Sequence, residues 1–138
     1  MTKRDITWEI IESLINVIAR KIIGSDAEIH GVYGIPRGGL IPAVLLSHKL
    51  GVPLIQTVKN NTLIVDDISD SGNTLIAELK KANYPISGTH KLYTATIFER
   101  DKTIFNPDFV GKHIDYQDWI VFPWEYGIHA VENSETVV

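Results

Sequence analysis

The sequence contains no cysteine, which excludes a disulfide framework and any thiolate metal site. No stretch is long and apolar enough to span a bilayer. The opening MTKRDITWEI lacks the apolar run of a secretory leader. Together these absences predict a cytoplasmic protein with no membrane partner. Basic residues are in deficit: 13 Lys and Arg face 17 Asp and Glu, a net charge of -4. That argues against nucleic-acid binding, which calls for a basic face. There is no repeat, low-complexity stretch or linker. The five histidines, at positions 30, 48, 90, 113 and 129, are scattered without metal-ligand spacing. What remains is ordinary globular composition, 44% hydrophobic and 22% charged over 138 residues. That length favours a single domain spanning residues 1–138.

Along the chain, Thr7 to Ile23 reads as a helix. Thr7 can cap it, and Glu9 suits its first turn. Ile10, Leu14, Ile18 and Ile22 recur on one face, widened by Ile11 and Ile15; Gly24 is a stop. Val32 to Ile35 is a short strand, followed by the loop Pro36-Arg37-Gly38-Gly39 and a helix from Leu40 to Leu50, with Pro42 tolerated in its first turn. Pro53 to Val58 is extended, Lys59-Asn60-Asn61 is a turn, and Thr62 to Ile68 is strongly β-like. A loop, Ser69 to Asn73, leads into a helix from Thr74 to Ala82. Leu92 to Phe98 and Trp119 to Phe122 are further strands, and residues after Gly127 read as a loose tail. Alternating strands and helices predict an α/β fold, a doubly wound, mainly parallel sheet flanked by helices. Ligands bind such sheets at the carboxyl ends of the strands. The loops at Pro36–Gly39 and Ser69–Asn73 both follow strands and should open on that edge.

The most informative segment is TLIVDDISDSGNT, from Thr62 to Thr74. An apolar strand delivers two adjacent carboxylates, Asp66 and Asp67. Strand neighbours point to opposite faces, so one can reach a ligand while the other braces the loop or a metal; alternatively, twist turns both toward one sugar. Ionised carboxylates only accept hydrogen bonds, which suits vicinal hydroxyls. Asp70, Ser71, Gly72, Asn73 and Thr74 then enter a helix, whose first N–H groups form an anion site. Gly72 admits close approach of a phosphate, and Ser71 and Thr74 add hydroxyl donors. One loop thus offers phosphate and ribose ligands side by side, as a ribose 5-phosphate requires.

This string resembles the phosphoribosyl-pyrophosphate motif of type I phosphoribosyltransferases. Two further segments narrow the resemblance. YGIPRGGLIPA, from Tyr33, is similar to the pyrophosphate loop of the bacterial xanthine–guanine and archaeal-type hypoxanthine–guanine enzymes; DWIVFPWE, Asp118 to Glu125, is similar to their purine-binding tail. The resemblance covers about Ile6 to Gly127, with three motifs in order. It implies a purine phosphoribosyltransferase that moves a 5-phosphoribosyl group from phosphoribosyl pyrophosphate to a 6-oxopurine (hypoxanthine, guanine or xanthine) in purine salvage. It also implies Mg2+ as cofactor, held mainly by substrate oxygens with Asp67 as the protein's metal ligand, and a homo-oligomer, dimer or tetramer.

Residue by residue, the resemblance gives Arg37, Gly38 and Gly39 to the pyrophosphate, through a loop that often carries a cis peptide. It gives Asp66 and Asp67 to the ribose and metal. Asp70 through Thr74 hold the 5-phosphate. Asp70 also matches an acidic residue near purine N7, and either exchanges a proton there or braces the loop as a helix cap. Arg37 and Asp70 are therefore the candidate catalytic residues. Trp119 matches the residue that stacks on the base, though it also reads as a core aromatic, and Ile120 would lend backbone groups to the base edge. Pro123-Trp124-Glu125 reads as packing support. Arg100 falls where the family places a lysine that donates to the purine O6, with Lys102 close by; its other reading is a solvated charge in the run Glu99–Lys102.

One departure stands out. The resembling enzymes carry a long flexible hood between the second strand and the acidic-loop strand. Here only Lys59-Asn60-Asn61 intervenes, a link short enough to predict an antiparallel hairpin. Reduced activity, leakage to hydrolysis, or water exclusion by a neighbouring subunit are its expected consequences. It also motivates an alternative, a binding protein for purine nucleotide or phosphoribosyl pyrophosphate with weakened catalysis.

Overall fold

The computed structural model describes residues 2–83 and 91–127; the tail expected after Gly127 lies outside them. The first helix, α1, spans Trp8–Ile23. The Thr7 hydroxyl accepts a hydrogen bond from the Ile10 N–H at 3.3 Å, and the Gly24 N–H returns to the Arg20 carbonyl, so both caps fall as expected. The buried stripe is rotated from the expected one: Ile11, Ile15, Ile18 and Ile22 are buried, whereas Ile10 is exposed. Helix α2, Leu40–Leu50, ends on Gly51 in the left-handed region at φ 66, a conformation glycine adopts without a Cβ clash.

Four strands form one parallel sheet in the order β2 (Gly31–Gly34), β3 (Thr62–Ser69), β4 (Leu92–Arg100), β5 (Phe109–Ile114). Helix α3, Asn73–Asn83, follows β3. A second, two-stranded parallel sheet pairs β1 (Lys3–Asp5) with β6 (Trp119–Val121). Alternation along β3 divides the core between two faces. Leu63 and Val65 pack in the cluster that holds α1 and α2, while Ile64 packs with Ile35 and with Leu75 of α3. Helices therefore cover both faces of a parallel sheet, the doubly wound arrangement.

The antiparallel hairpin expected around Lys59–Asn61 does not form. Leu54 makes an isolated parallel bridge to Val32, on the edge of β2 away from β3: the Val32 N–H donates to the Pro53 carbonyl and its carbonyl accepts from the Ile55 N–H. The chain then passes across the amino end of β2 to start β3 on the other side. Two strand spacings amount to roughly 10 Å, well within reach of the residues from Leu54 to Thr62. Asn61, at φ 63, pins the crossing: its carbonyl accepts from the His30 N–H at 2.8 Å and its side-chain amide donates to the Glu28 carbonyl at 2.9 Å. Strand order reverses here, between β2 and β3. The crevice at their carboxyl ends is the position where sheets of this kind bind ligands.

Two strands escape the sequence patterns. β1 is three exposed, charged residues, defined only by its partner β6. In β5, Gly111-Lys112-His113 interrupts the alternation. Gly111 sits where α1 crosses the sheet; a Cβ there would lie 2.6 Å from the Ile97 carbonyl oxygen and 3.1 Å from the Leu14 Cβ. No helix among the described residues is long and apolar enough to cross a membrane.

Candidate active site

Two recesses open at the reversal point and share Asp67. The smaller, of about 200 Å³, is formed wholly by the strand end and the loop into α3, from Asp66 to Gly72 with Thr74 and Leu75. The larger, of about 800 Å³, lies between Arg37 and Gly38 after β2, Leu40 and Ile41 at the start of α2, Asp67, and the segment Trp124–Glu125. The acidic loop and the Arg37 loop, separate motifs in the sequence, are thus adjoining walls of one crevice.

The glycines explain how closely those walls approach. A Cβ on Gly38 would lie 2.3 Å from Asp67 Oδ2, and one on Gly39 would lie 2.2 Å from the Val65 carbonyl oxygen. The Pro36–Arg37 peptide is cis, the form that the resemblance implies for this loop. Arg37 itself is exposed, and neither it nor Asp67 enters an ion pair among the described residues. Gly72 has φ 93, and a Cβ there would meet the Phe105 N and Thr103 Oγ1 at 2.7 Å. Loop 69–73 is fastened to that same segment. The Ile104 N–H donates to the Ser71 carbonyl at 2.8 Å, and the Ser69 hydroxyl donates to the Phe105 carbonyl at 3.0 Å.

Asp66 is 9% exposed. Burial, then the charge of Asp67, pushes its carboxyl up to about 8. Asp67 is also raised, first by burial and further by the charge of Glu125, against a lowering by the Asp66 side chain and the Ile68 N–H. Both carboxylates line the smaller recess, and the charge of Glu78 on α3 adds to the rise at Asp66. Such a pair gains from any cation placed against it.

Arg100 lies elsewhere than the O6-donor reading placed it. It is 6% exposed, and its guanidinium is turned inward. Nη1 donates to the Tyr116 carbonyl and Nη2 to the Asp118 carbonyl, both at 2.8 Å, and Nε pairs with Asp70 Oδ1 at 3.2 Å. Neither a solvated loop charge nor a free donor to a base describes it. Lys102 is the exposed cation of this run, with its Nζ 3.2 Å from the same Asp70 oxygen.

Trp119 is 57% exposed, so it is no core aromatic. Its Ile120 neighbour buries its side chain in the core. Trp124 is the packing support expected, its ring stacked on Phe122 at 4.8 Å and tilted against Trp8 at 5.8 Å. Trp119 lines neither recess, but Arg100 holds the residue before it. A further anchor escaped the sequence. Arg4 of β1 pairs with Asp118 at 2.8 Å and lies 3.7 Å above the Tyr116 ring. Glu125, read as packing support, also faces the larger recess.

Comparison with known proteins gives the family and the fold. A curated xanthine-guanine phosphoribosyltransferase of Cereibacter sphaeroides is 26% identical over 156 residues, covering 92% of this chain and 89% of its own. A crystal structure of a purine phosphoribosyltransferase from Pyrococcus horikoshii superposes with a TM-score of 0.77 at 28% identity, covering 100% of this chain and 99% of that one. The Helicobacter pylori xanthine-guanine-hypoxanthine phosphoribosyltransferase shares the fold, with a TM-score of 0.78 at 20% identity over 96% of this chain and 99% of that one. The sequence profile of the phosphoribosyl transferase domain matches residues 59–130, from the crossing segment through the acidic loop to the Trp119 tail, and this chain belongs to that family as a transferase enzyme.

Proposed function

We propose that the chain transfers a 5-phosphoribosyl group from phosphoribosyl pyrophosphate to a 6-oxopurine in the cytoplasm, releasing pyrophosphate. The observation that carries this reading is the pair of recesses sharing Asp67, one bounded by the phosphate loop and the other by Arg37. A substrate with phosphate at one end, ribose in the middle and pyrophosphate at the other spans such a crevice. Ser71, Gly72, Asn73 and Thr74 receive the 5-phosphate. Asp66 and Asp67 face the ribose hydroxyls. Arg37 receives the pyrophosphate, with the Gly38 N–H beside it; the Gly39 N–H, expected to point at the same anion, is instead bonded to the Ile35 carbonyl at 2.9 Å. Trp119 supplies a flat face for the base and Ile120 its backbone groups.

The bond from ribose C1 to the pyrophosphate oxygen breaks, its electron pair leaving with the pyrophosphate. Purine N9 donates the pair that forms the new bond, and the ring proton departs from the purine. The carboxylates favour the positive charge building on the ribose, and Arg37 the negative charge on the leaving group. In this reading Asp70 takes the proton at N7.

Magnesium fits this site. Among the described residues no three His, Asp or Glu gather into a cage, but Asp66 and Asp67 form a buried pair lacking a cationic partner. That suits an ion completed by substrate oxygens, with Asp67 as the protein ligand. When bound, it supplies charge neutralisation for the pyrophosphate.

The test is pyrophosphate release from phosphoribosyl pyrophosphate and magnesium with hypoxanthine, guanine, xanthine, adenine or no base. Release that depends on one 6-oxopurine, with its nucleotide formed, is the expected result. Arg37→Ala should lower that rate about 100-fold or more without lowering the melting temperature, since Arg37 is exposed and forms no ion pair among the described residues. The crossing segment, too short to bear a hood, favours a second reading, a nucleotide-binding protein with weakened catalysis. No release, but calorimetric binding of a purine nucleotide, would establish that instead.

A further inference from the structure

We propose that Arg100 is a positioning residue that couples the two halves of the site, so that filling the phosphate loop tightens binding of the base. This rests on the reading of the crevice as a phosphoribosyl and purine site. Arg100 touches neither half-ligand in that reading. It touches both loops that would: Asp70 of the phosphate loop through Nε, and the carbonyls of Tyr116 and Asp118, just before Trp119, through Nη1 and Nη2. A guanidinium is planar and presents its donors in a fixed fork. Moving one partner of a buried fork therefore shifts the alignment of the others.

The strut is uneven. Its two bonds to the carbonyls are short and directed, at 2.8 Å. The contact to Asp70 is not: Oδ1 is shielded from solvent and accepts no aligned hydrogen bond, although Nε lies 3.2 Å away. One end of the strut is thus bonded to the segment before Trp119, while the other is only loosely paired with the phosphate loop. A phosphate drawn into the loop that turns Asp70 into line with Nε would stabilise the whole strut, and the base would find its platform already fixed. Coupling of this kind requires a contact that differs between the two states, and the proposal assigns that part to the misaligned Asp70–Arg100 pair. Lys102 shares the same oxygen, but it is exposed and reaches no other loop among its described contacts, so it cannot transmit the change.

Calorimetric titration of the full chain with hypoxanthine, in the presence and absence of saturating ribose 5-phosphate, tests this. The parent protein should bind the base about tenfold more tightly with ribose 5-phosphate present, a ratio within the usual range of coupling between sites. In Arg100→Met the ratio should fall to about one, while affinity for ribose 5-phosphate itself changes by less than about threefold. Arg100→Lys should not restore the ratio, because a point charge cannot reach three partners. Asp70→Asn, a change to a half-exposed side chain, should also abolish the coupling, and it carries the test if Arg100→Met does not fold. Lys102→Met should leave the ratio unchanged. An undiminished ratio in Arg100→Met or Asp70→Asn, or full coupling in Arg100→Lys, would overturn the proposal. Equal loss of base affinity with and without ribose 5-phosphate would overturn it too, by making Arg100 a direct reader of the base. If the parent protein binds no base under either condition, the purine reading itself falls, and the coupling with it.

Discussion

Gly38 and Gly39 are neighbours with different obligations. A Cβ on Gly38 would strike the end of the Asp67 side chain, whereas one on Gly39 would strike the Val65 carbonyl, which is main chain. A carboxylate can swing aside and a strand cannot. Gly38→Ala should therefore fold, with a melting temperature near that of the parent, yet lose most of its transferase activity because Asp67 is displaced. Gly39→Ala should instead be destabilised by about 1–3 kcal/mol, the usual cost of overpacking, as measured by urea denaturation. Equal losses of stability in the two variants would contradict this division. Asp66 makes a prediction that turns on pH. In the unfolded chain its carboxyl ionises near 4, whereas in the fold burial holds it up to about 8. Between those values the folded state binds more protons, so stability falls as pH rises through that window. Asp66→Asn has no such titration and can still accept the Asp67 N–H, which Asp66 Oδ1 takes at 2.9 Å. Its melting temperature should match the parent's at pH 4 and exceed it at pH 8; parallel pH profiles would refute the assignment. The string around these residues was legible in advance because strand, carboxylates, glycine and helix start each follow local rules. The direction of Arg100 was not, because it depends on two carbonyls sixteen and eighteen residues further on.

At the scale of elements, legibility followed how much of the stabilising contact is local. Helices α1 and α2 have their caps and apolar positions within their own sequence, and their ends fall within one residue of those expected. β1 and β5 depend on distant partners, and no local pattern marks them. The crossing between Leu54 and Thr62 misled for a related reason. A three-residue turn between extended runs has the local form of a hairpin, and only the bridge of Leu54 to the far edge of β2 shows otherwise. Asn61 is the residue to test. It combines a left-handed backbone with a side-chain bond to Glu28. Asn61→Ala loses the bond and strains the backbone, and should cost about 1–3 kcal/mol. Asn61→Gly relieves the backbone and should cost less. If Asn61→Gly proved the more damaging of the two in denaturant titration, the crossing would not be held by its left-handed turn.

For the whole molecule, the proposed function puts the reacting ribose in the crevice at the reversal of strand order, beside Asp67. The framework around it is widely shared: the Pyrococcus horikoshii purine phosphoribosyltransferase matches over 99% of its own length. With only the short crossing beside it, a ribose bound there would be open to water. We expect base-free hydrolysis of phosphoribosyl pyrophosphate to run at a measurable share of the rate with base. We also expect it to increase on dilution, as a neighbouring copy that covers the crevice dissociates. Light scattering across the same concentrations checks the second point: a monomer throughout, with no leak, would leave the crevice closed by some other means. The same short crossing has a further bearing on handling the protein. Its backbone is tied to His30 and Lys91, and its Asn61 side chain to Glu28, so it presents no slack that a protease must draw into its own cleft. Trypsin should spare the Lys59–Asn60 bond while the chain is folded, and a preparation nicked there has already come undone.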